Sequence, residues 1–253
     1  MVDVHIVGAG PGDPELITRK GYRLVQEADV VIYAGSLVNP AILEACKPGC
    51  VMHNSATMNL DEVLSVRKAA VADGKKVVRV HTGDPAIYGA IQEQMDALAG
   101  MGITYEVVPG VSSFLATAAA LKQEYTLPNV SQTVIITRME GRTPMPPKEK
   151  LRMLASHEAT MCIFLSVQML DKVVAELIEG GYDKTTPVAI VVKASWPDQR
   201  IIRGTLETIA DIVAKEGVLR QAMIVVSHVL DSEYELSKLY DKGFAHMYRS
   251  AKD

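Results

Sequence analysis

Short runs of β-branched and other apolar residues alternate along this chain with longer stretches in which apolar positions recur every three or four residues. That alternation predicts parallel strands joined by helices, an α/β architecture. In the first half, strands are predicted at Val4–Val7, Val30–Tyr33, Lys76–His81 and Thr104–Val108. A helix is predicted from Pro14 to Ala28, with Asp13 as N-cap and Pro14 in the first helical position. A second runs from Asn59 or Asp61 to Asp73-Gly74, where glycine makes a natural stop. Two more are predicted over Tyr88–Gly100 and Ser112–Leu121.

Residues 123–132 carry Pro128 and Asn129 and little helical periodicity, so they read as the connection between two domains, 1–122 and 123–253. The pattern then starts afresh. Strands are predicted at Thr133–Thr137, Thr160–Leu165, Val188–Val192, Arg200–Gly204 and Ala222–Ser227, with helices near Leu170–Glu179 and Leu206–Lys215. The strands flanking Trp196-Pro197-Asp198 resemble a hairpin, which makes the second sheet mixed. Three prolines within Arg142–Lys148 mark a loop. No internal repeat or low-complexity segment is evident.

A chain of 253 residues, 48% apolar and 22% charged, suits one large α/β unit or two modest globular domains. The net charge of −4 argues against a general nucleic-acid binder, although a locally basic cleft can still take an anionic ligand. No apolar run is long enough to span a bilayer, and Met1-Val2-Asp3 lacks a signal pattern, so a cytoplasmic protein without a membrane partner is expected. Cys46, Cys50 and Cys162 form neither a disulfide framework nor a zinc spacing, and no metal site is expected.

Four unusual turns fall at the carboxyl ends of predicted strands, where open α/β sheets bind ligands. The first, Gly8-Ala9-Gly10-Pro11-Gly12-Asp13, suggests a dinucleotide loop. Yet Asp13 stands at the third-glycine position, and the second strand ends in Tyr33-Ala34 rather than an acidic residue. The NAD reading therefore fails at two independent points, while a merely tight turn remains an alternative. The second turn is Thr82-Gly83-Asp84-Pro85-Ala86-Ile87-Tyr88-Gly89. Gly83 permits close ligand approach, and Asp84 reads either as a carboxylate for hydroxyls or ammonium, or as a helix cap.

The third turn, Val108-Pro109-Gly110-Val111-Ser112-Ser113, offers hydroxyls and free N–H groups at a helix start, and ordinary capping would need the same residues. The fourth group comprises Thr137-Arg138, Phe164-Leu165-Ser166 and Lys193-Ala194-Ser195-Trp196-Pro197. Arg138 and Lys193 follow apolar strands and suit ligand carboxylates, with solvated surface cations as the competing reading.

Taken together, GAGPGDPELIT, YAGSLV at 33–38, HTGDPAIYGA at 81–90 and VPGVSS at 108–113 resemble the tetrapyrrole methylases of sirohaem and cobalamin synthesis. TRMEGRTP at 137–144, FLS at 164–166 and KASWPDQ at 193–199 extend the resemblance over nearly the whole chain. Within the family it is most similar to the precorrin-4 carbon-11 branch. The alternative is another branch, such as uroporphyrinogen III or precorrin C-20 or C-17 methylation. The uroporphyrinogen branch typically carries Asp where this chain has Ala34, so an acid–base role for that residue does not transfer.

The resemblance implies two α/β domains with an active-site cleft between them, a homodimer, and S-adenosylmethionine as cofactor, leaving as S-adenosylhomocysteine. Pro11 would border it, with Thr82, Gly83, Asp84 and Ile87 at its amino-acid and adjoining parts. Ser112 and Ser113 fit the next contacts. Leu165 stands where the family commonly has Met, Ala194 matches a small residue, and Ala222 with Met223 would complete the adenine pocket. The substrate would be precorrin-4 or cobalt-precorrin-4. Arg138 and Lys193, with Arg79 and Arg142, are expected to bind its carboxylates. Asp84 and Tyr88 are the nearest candidates for proton handling. A non-catalytic adenosyl-ligand sensor is the alternative of a different class.

Overall fold

The computed structural model describes residues 2–250 apart from 238, 240 and 246. The chain falls into two compact units: 1–117 with 193–199, and 118–192 with 200–253. This differs from a single cut at 122/123, because a seven-residue excursion from the second half packs into the first unit.

The first unit holds strands β1 (Val4–Gly8), β2 (Val30–Tyr33), β3 (Val51–Asn54), β4 (Val77–His81) and β5 (Tyr105–Val108), in the order β3-β2-β4-β1-β5. Every pairing is parallel. Its helices are α1 (Arg19–Glu27), α2 (Pro40–Leu43), α3 (Leu60–Ala72) and α4 (Gln92–Gly100), and α5 (Ser113–Leu121) crosses the boundary into the second unit. Burial of β-branched residues on both faces explains the near-continuous apolar strands. Val7, Val31, Val78 and Val80 pack with Leu24 and Val25 of α1. On the opposite face Val4, Val30, Ile32 and Val77 pack with Val63 and Leu64 of α3 and Leu98 of α4.

The long first helix predicted from Pro14 is two elements. Asp13 does cap a turn, accepting from Glu15 N at 2.9 Å, but that turn is a 3-10 segment, Pro14–Leu16. Thr18 then caps α1 afresh by accepting from Gly21 N at 3.1 Å. Of the two expected starts, Asn59 and Asp61, Asn59 is the N-cap of α3, with a capping box in which Asn59 and Glu62 satisfy each other's backbone N–H groups. α4 starts four residues later than Tyr88. The cause lies in the preceding turn, where Tyr88 and Ala90 sit at φ 55° and 48°, a left-handed conformation that no α-helix tolerates.

The second unit carries β6 (Val134–Arg138), β7 (Thr160–Phe164), β8 (Pro187–Val192), β9 (Arg200–Thr205) and β10 (Ala222–Val226), in the order β6-β7-β10-β8-β9. β6 and β7 are parallel and the other pairings antiparallel, giving the expected mixed sheet. Helices α6 (Leu151–Ala155), α7 (Leu170–Gly180) and α8 (Ile209–Glu216) cover it. Its core is built from Met161, Ile163, Ile190 and Ile224 of the sheet with Val173, Leu177 and Val213 of α7 and α8.

Candidate active site

Three of the turns singled out in the sequence meet at the carboxyl ends of β1, β4 and β5. Gly10 and Gly83 bridge one another, with Gly83 N donating to Gly10 O at 2.7 Å and Gly10 N to Gly83 O at 3.2 Å. Gly8 and Gly110 are pressed against the same carbonyl. A Cβ on Gly110 would lie 2.2 Å from Gly83 O and 2.8 Å from Gly8 Cα, and one on Gly8 would lie 2.6 Å from Gly83 O. Only glycine lets three backbones approach this closely. Asp84 ties the second turn to the third: one carboxylate oxygen accepts from Gly110 N at 2.9 Å, the other from Ala86 N at 2.8 Å. Asp84 therefore serves as a backbone clamp.

The excursion 193–199 is fixed to the first turn. Trp196 Nε1 donates to Pro11 O at 2.9 Å, and Asp13 N donates to Ser195 Oγ at 3.0 Å. The indole covers Gly12 so closely that a Cβ there would meet its ring carbon at 2.1 Å. Asn39 closes the other side by donating to Gly12 O at 2.8 Å. Lys193 lies 5.7 Å from the Trp196 ring centroid and pairs with Asp198. Lys193 and Ser195 both hold left-handed backbone, φ 49° and 68°. Strain of that kind concentrates where a loop must present groups in a fixed way.

Within this cluster, Pro11, Gly83 and Ala194 are buried, Asp84 and Ile87 half-buried, and Thr82 and Tyr88 exposed. Ser112 is 5% exposed and Ser113 half-buried. Both stand at the start of α5, where the first N–H groups of a helix have no partner within it. Hydroxyls, helix-start N–H groups, an apolar Ile87 and a glycine at the mouth of β4 form a donor set that fits an adenosyl ligand with a charged amino-acid end.

The remaining expected residues belong to the second unit. Arg138 and Phe164 are register partners at the ends of β6 and β7, and Met139 N donates to Ser166 Oγ at 2.8 Å. Arg138 straps its own loop, donating to the carbonyls of Met139, Thr143 and Pro144 at 3.1 to 3.3 Å. Arg142, within that loop, is exposed. Leu165 is 71% exposed at φ 54°, while Met223 is buried in β10 beside Ala222.

Arg79 lies elsewhere in the first unit. It is 7% exposed, donates to Ile32 O at 3.3 Å, and faces α3 and α4 together with His81 and Arg67. Burial pulls Arg79 down to about 10 and, with the neighbouring Arg79 charge, Arg67 to about 9. Burial and both arginines push His81 down to about 3, so its imidazole is neutral. Sequence reasoning passed over Arg67, although it falls on the apolar stripe of α3 with Val63, Leu64 and Ala70. It also passed over the anchoring roles of Trp196, Ser195 and Asn39, whose partners are remote in sequence.

The tetrapyrrole (corrin/porphyrin) methylase pattern matches residues 3–210. A cobalt-precorrin-4 C(11)-methyltransferase of Methanocaldococcus jannaschii is 62% identical over 98% of this chain and 96% of its own length. The X-ray structure of a cobalt precorrin-4 methyltransferase superposes with TM-score 0.89 at 49% identity, covering 90% of this chain and 96% of that one. A uroporphyrin-III C-methyltransferase from Thermus thermophilus, complexed with S-adenyl homocysteine, gives TM-score 0.75 at 30% identity, covering 90% and 93%. Family pattern, near-full-length identity and fold agree, and this chain belongs to the tetrapyrrole methylases.

Proposed function

We infer that this chain is an S-adenosylmethionine-dependent methyltransferase acting on carbon 11 of precorrin-4, in cobalamin synthesis. The observation that carries the reading is the convergence of turns 8–13, 82–89, 109–113 and 193–198 in one unit, in a family whose 62% identical member is named for this reaction. That member's name favours the cobalt-bearing substrate. The uroporphyrin reading rests on a more distant likeness, at 30% identity.

S-adenosylmethionine, when bound, supplies a methyl group on a sulfonium. The protein's part is positioning, which in well-aligned reactions contributes roughly 7–11 kcal/mol. Ser112 and Ser113, with the helix-start N–H groups, hold polar ligand atoms, and Gly83 lets the ligand approach the strand end. Pro11, Thr82, Ile87 and Ala194 border it. Leu165, Ala222 and Met223 add apolar contacts, as the family resemblance implies. Lys193 offers a cation to substrate carboxylates in the first unit, while in the second unit Arg138 straps the 139–144 loop that carries the exposed Arg142. Arg79 is too deeply buried to meet a bulky substrate directly. Asp84, held by two backbone N–H groups, orients the turn, which leaves Tyr88 as the exposed group for proton handling. The protein is cytoplasmic and works as a homodimer; among the described residues no helix is long and apolar enough to cross a membrane.

The test is mass spectrometry of the product formed from precorrin-4 and from cobalt-precorrin-4 with the methyl donor. A gain of one methyl at carbon 11 is expected, faster with the cobalt form. Tight binding of NAD with no binding of S-adenosylhomocysteine would overturn the assignment. Binding of S-adenosylhomocysteine without turnover on any tetrapyrrole would favour a sensor instead.

A further inference from the structure

The face of the first sheet that packs on α3 and α4 is apolar along most of its length and charged at one margin. There β4 places Arg79 and His81, α3 places Arg67 and α4 places Gln94, with exposures of 7%, 5%, 0% and 6%. Arg67 Nη2 donates to Gln94 Oε1, and Arg79 Nη1 donates to Ile32 O. Four donor-bearing atoms remain buried without a partner: Arg67 Nε and Nη1, Arg79 Nε, and His81 Nε2. Among the described residues, no carboxylate forms an ion pair with either arginine.

Two buried guanidinium charges without a counter-charge are untenable in a marginally stable fold. Histidine can shed its proton to escape this penalty, but arginine holds its own. A water molecule would satisfy one or two donors and leave the charge uncompensated. The missing group is therefore an acceptor that carries negative charge. It must also be small, because Arg67 has no exposed surface.

We propose that Arg67, Arg79 and His81 form a buried site for a small monovalent anion of the size of chloride or formate, set between β4 and the α3–α4 pair. The anion accepts from Arg67 Nε and Nη1 and from Arg79 Nε, and His81 presents Nε2–H to it in the neutral tautomer. Because β4 leads directly into Thr82-Gly83-Asp84, the occupied site fixes the strand end from which the second turn emerges.

The test needs neither methyl donor nor tetrapyrrole, so its outcome is independent of the proposed reaction. Crystals of the intact chain soaked in bromide are expected to show an anomalous peak in contact with Arg67 and Arg79. In solution, the melting midpoint of the wild type is expected to rise by about 3 °C per tenfold increase in chloride at fixed ionic strength, with gluconate as the replaced ion. Arg67→Met removes that dependence. Displacement of the bromide peak by formate supports the site, and a wild-type map with only water there overturns it. A carboxylate from a second copy of the chain at that position would also overturn it. If Arg67→Met fails to fold, the wild-type bromide map still decides.

Discussion

Gly110 shows how little freedom a single position can have. Its missing Cβ would lie 2.2 Å from a backbone oxygen that cannot swing away, since Gly83 is itself held by Gly10. Gly110→Ala is expected to cost about 3 kcal/mol of stability in urea unfolding, by overpacking backbone against backbone. His81 makes a second residue-scale case. Its folded pKa of about 3 lies below the ordinary 6.5, so the unfolded chain takes up this proton first. The resulting stability is present above pH 6.5 and is lost as pH falls towards 3. In a gluconate buffer, unfolding free energy is expected to drop by about 2 kcal/mol between pH 7 and pH 5. His81→Asn should flatten that slope in pH-dependent urea melts. The alternation of Val78 and Val80 with Arg79 and His81 was open to reading in the sequence, and it puts both polar residues on the face shared with Val77. What the sequence withheld was the third member, Arg67, because only packing of α3 on the sheet brings it there.

At the scale of elements, the strands of both sheets were legible from their β-branched runs, with one exception. β3 reads Val-Met-His-Asn and is an edge strand with Val51 and Met52 about half exposed, so it carries neither a buried run nor a clean alternation. The four turns were legible as turns from glycine, proline and capping residues. Their convergence was legible only through family resemblance, since nothing local places Trp196 on Gly12. That loop has a measurable role. Trp196→Ala removes the hydrogen bond to Pro11 O and the cover over Gly12, freeing the first turn while leaving both sheets intact. S-adenosylhomocysteine affinity is expected to fall about tenfold by calorimetry, or about 1.4 kcal/mol. A smaller change in melting midpoint would mark the role as positioning; unchanged affinity would remove the loop from the site.

At the scale of the whole molecule, each unit owns a separate apolar core, one around Val7, Val31 and Val80 and one around Met161, Ile163 and Ile224. Two cores were foreseeable from length and from the restart of the strand pattern after residue 132. A boundary inside α5, and a first unit completed by residues 193–199, were not, because chain order gives no sign that a loop of one sheet will settle elsewhere.

That discontinuity governs how such chains can be recombined. A chimera joined once near residue 117 would give the first unit a foreign 193–199 segment, with whatever side chain it carries in place of Trp196 and Ser195. Exchanging the first unit together with 193–199, two grafts rather than one, keeps the match. Hybrids between this chain and its relatives are therefore expected to sort by whether those seven residues travel with the amino-terminal graft, as read by soluble yield and S-adenosylhomocysteine binding.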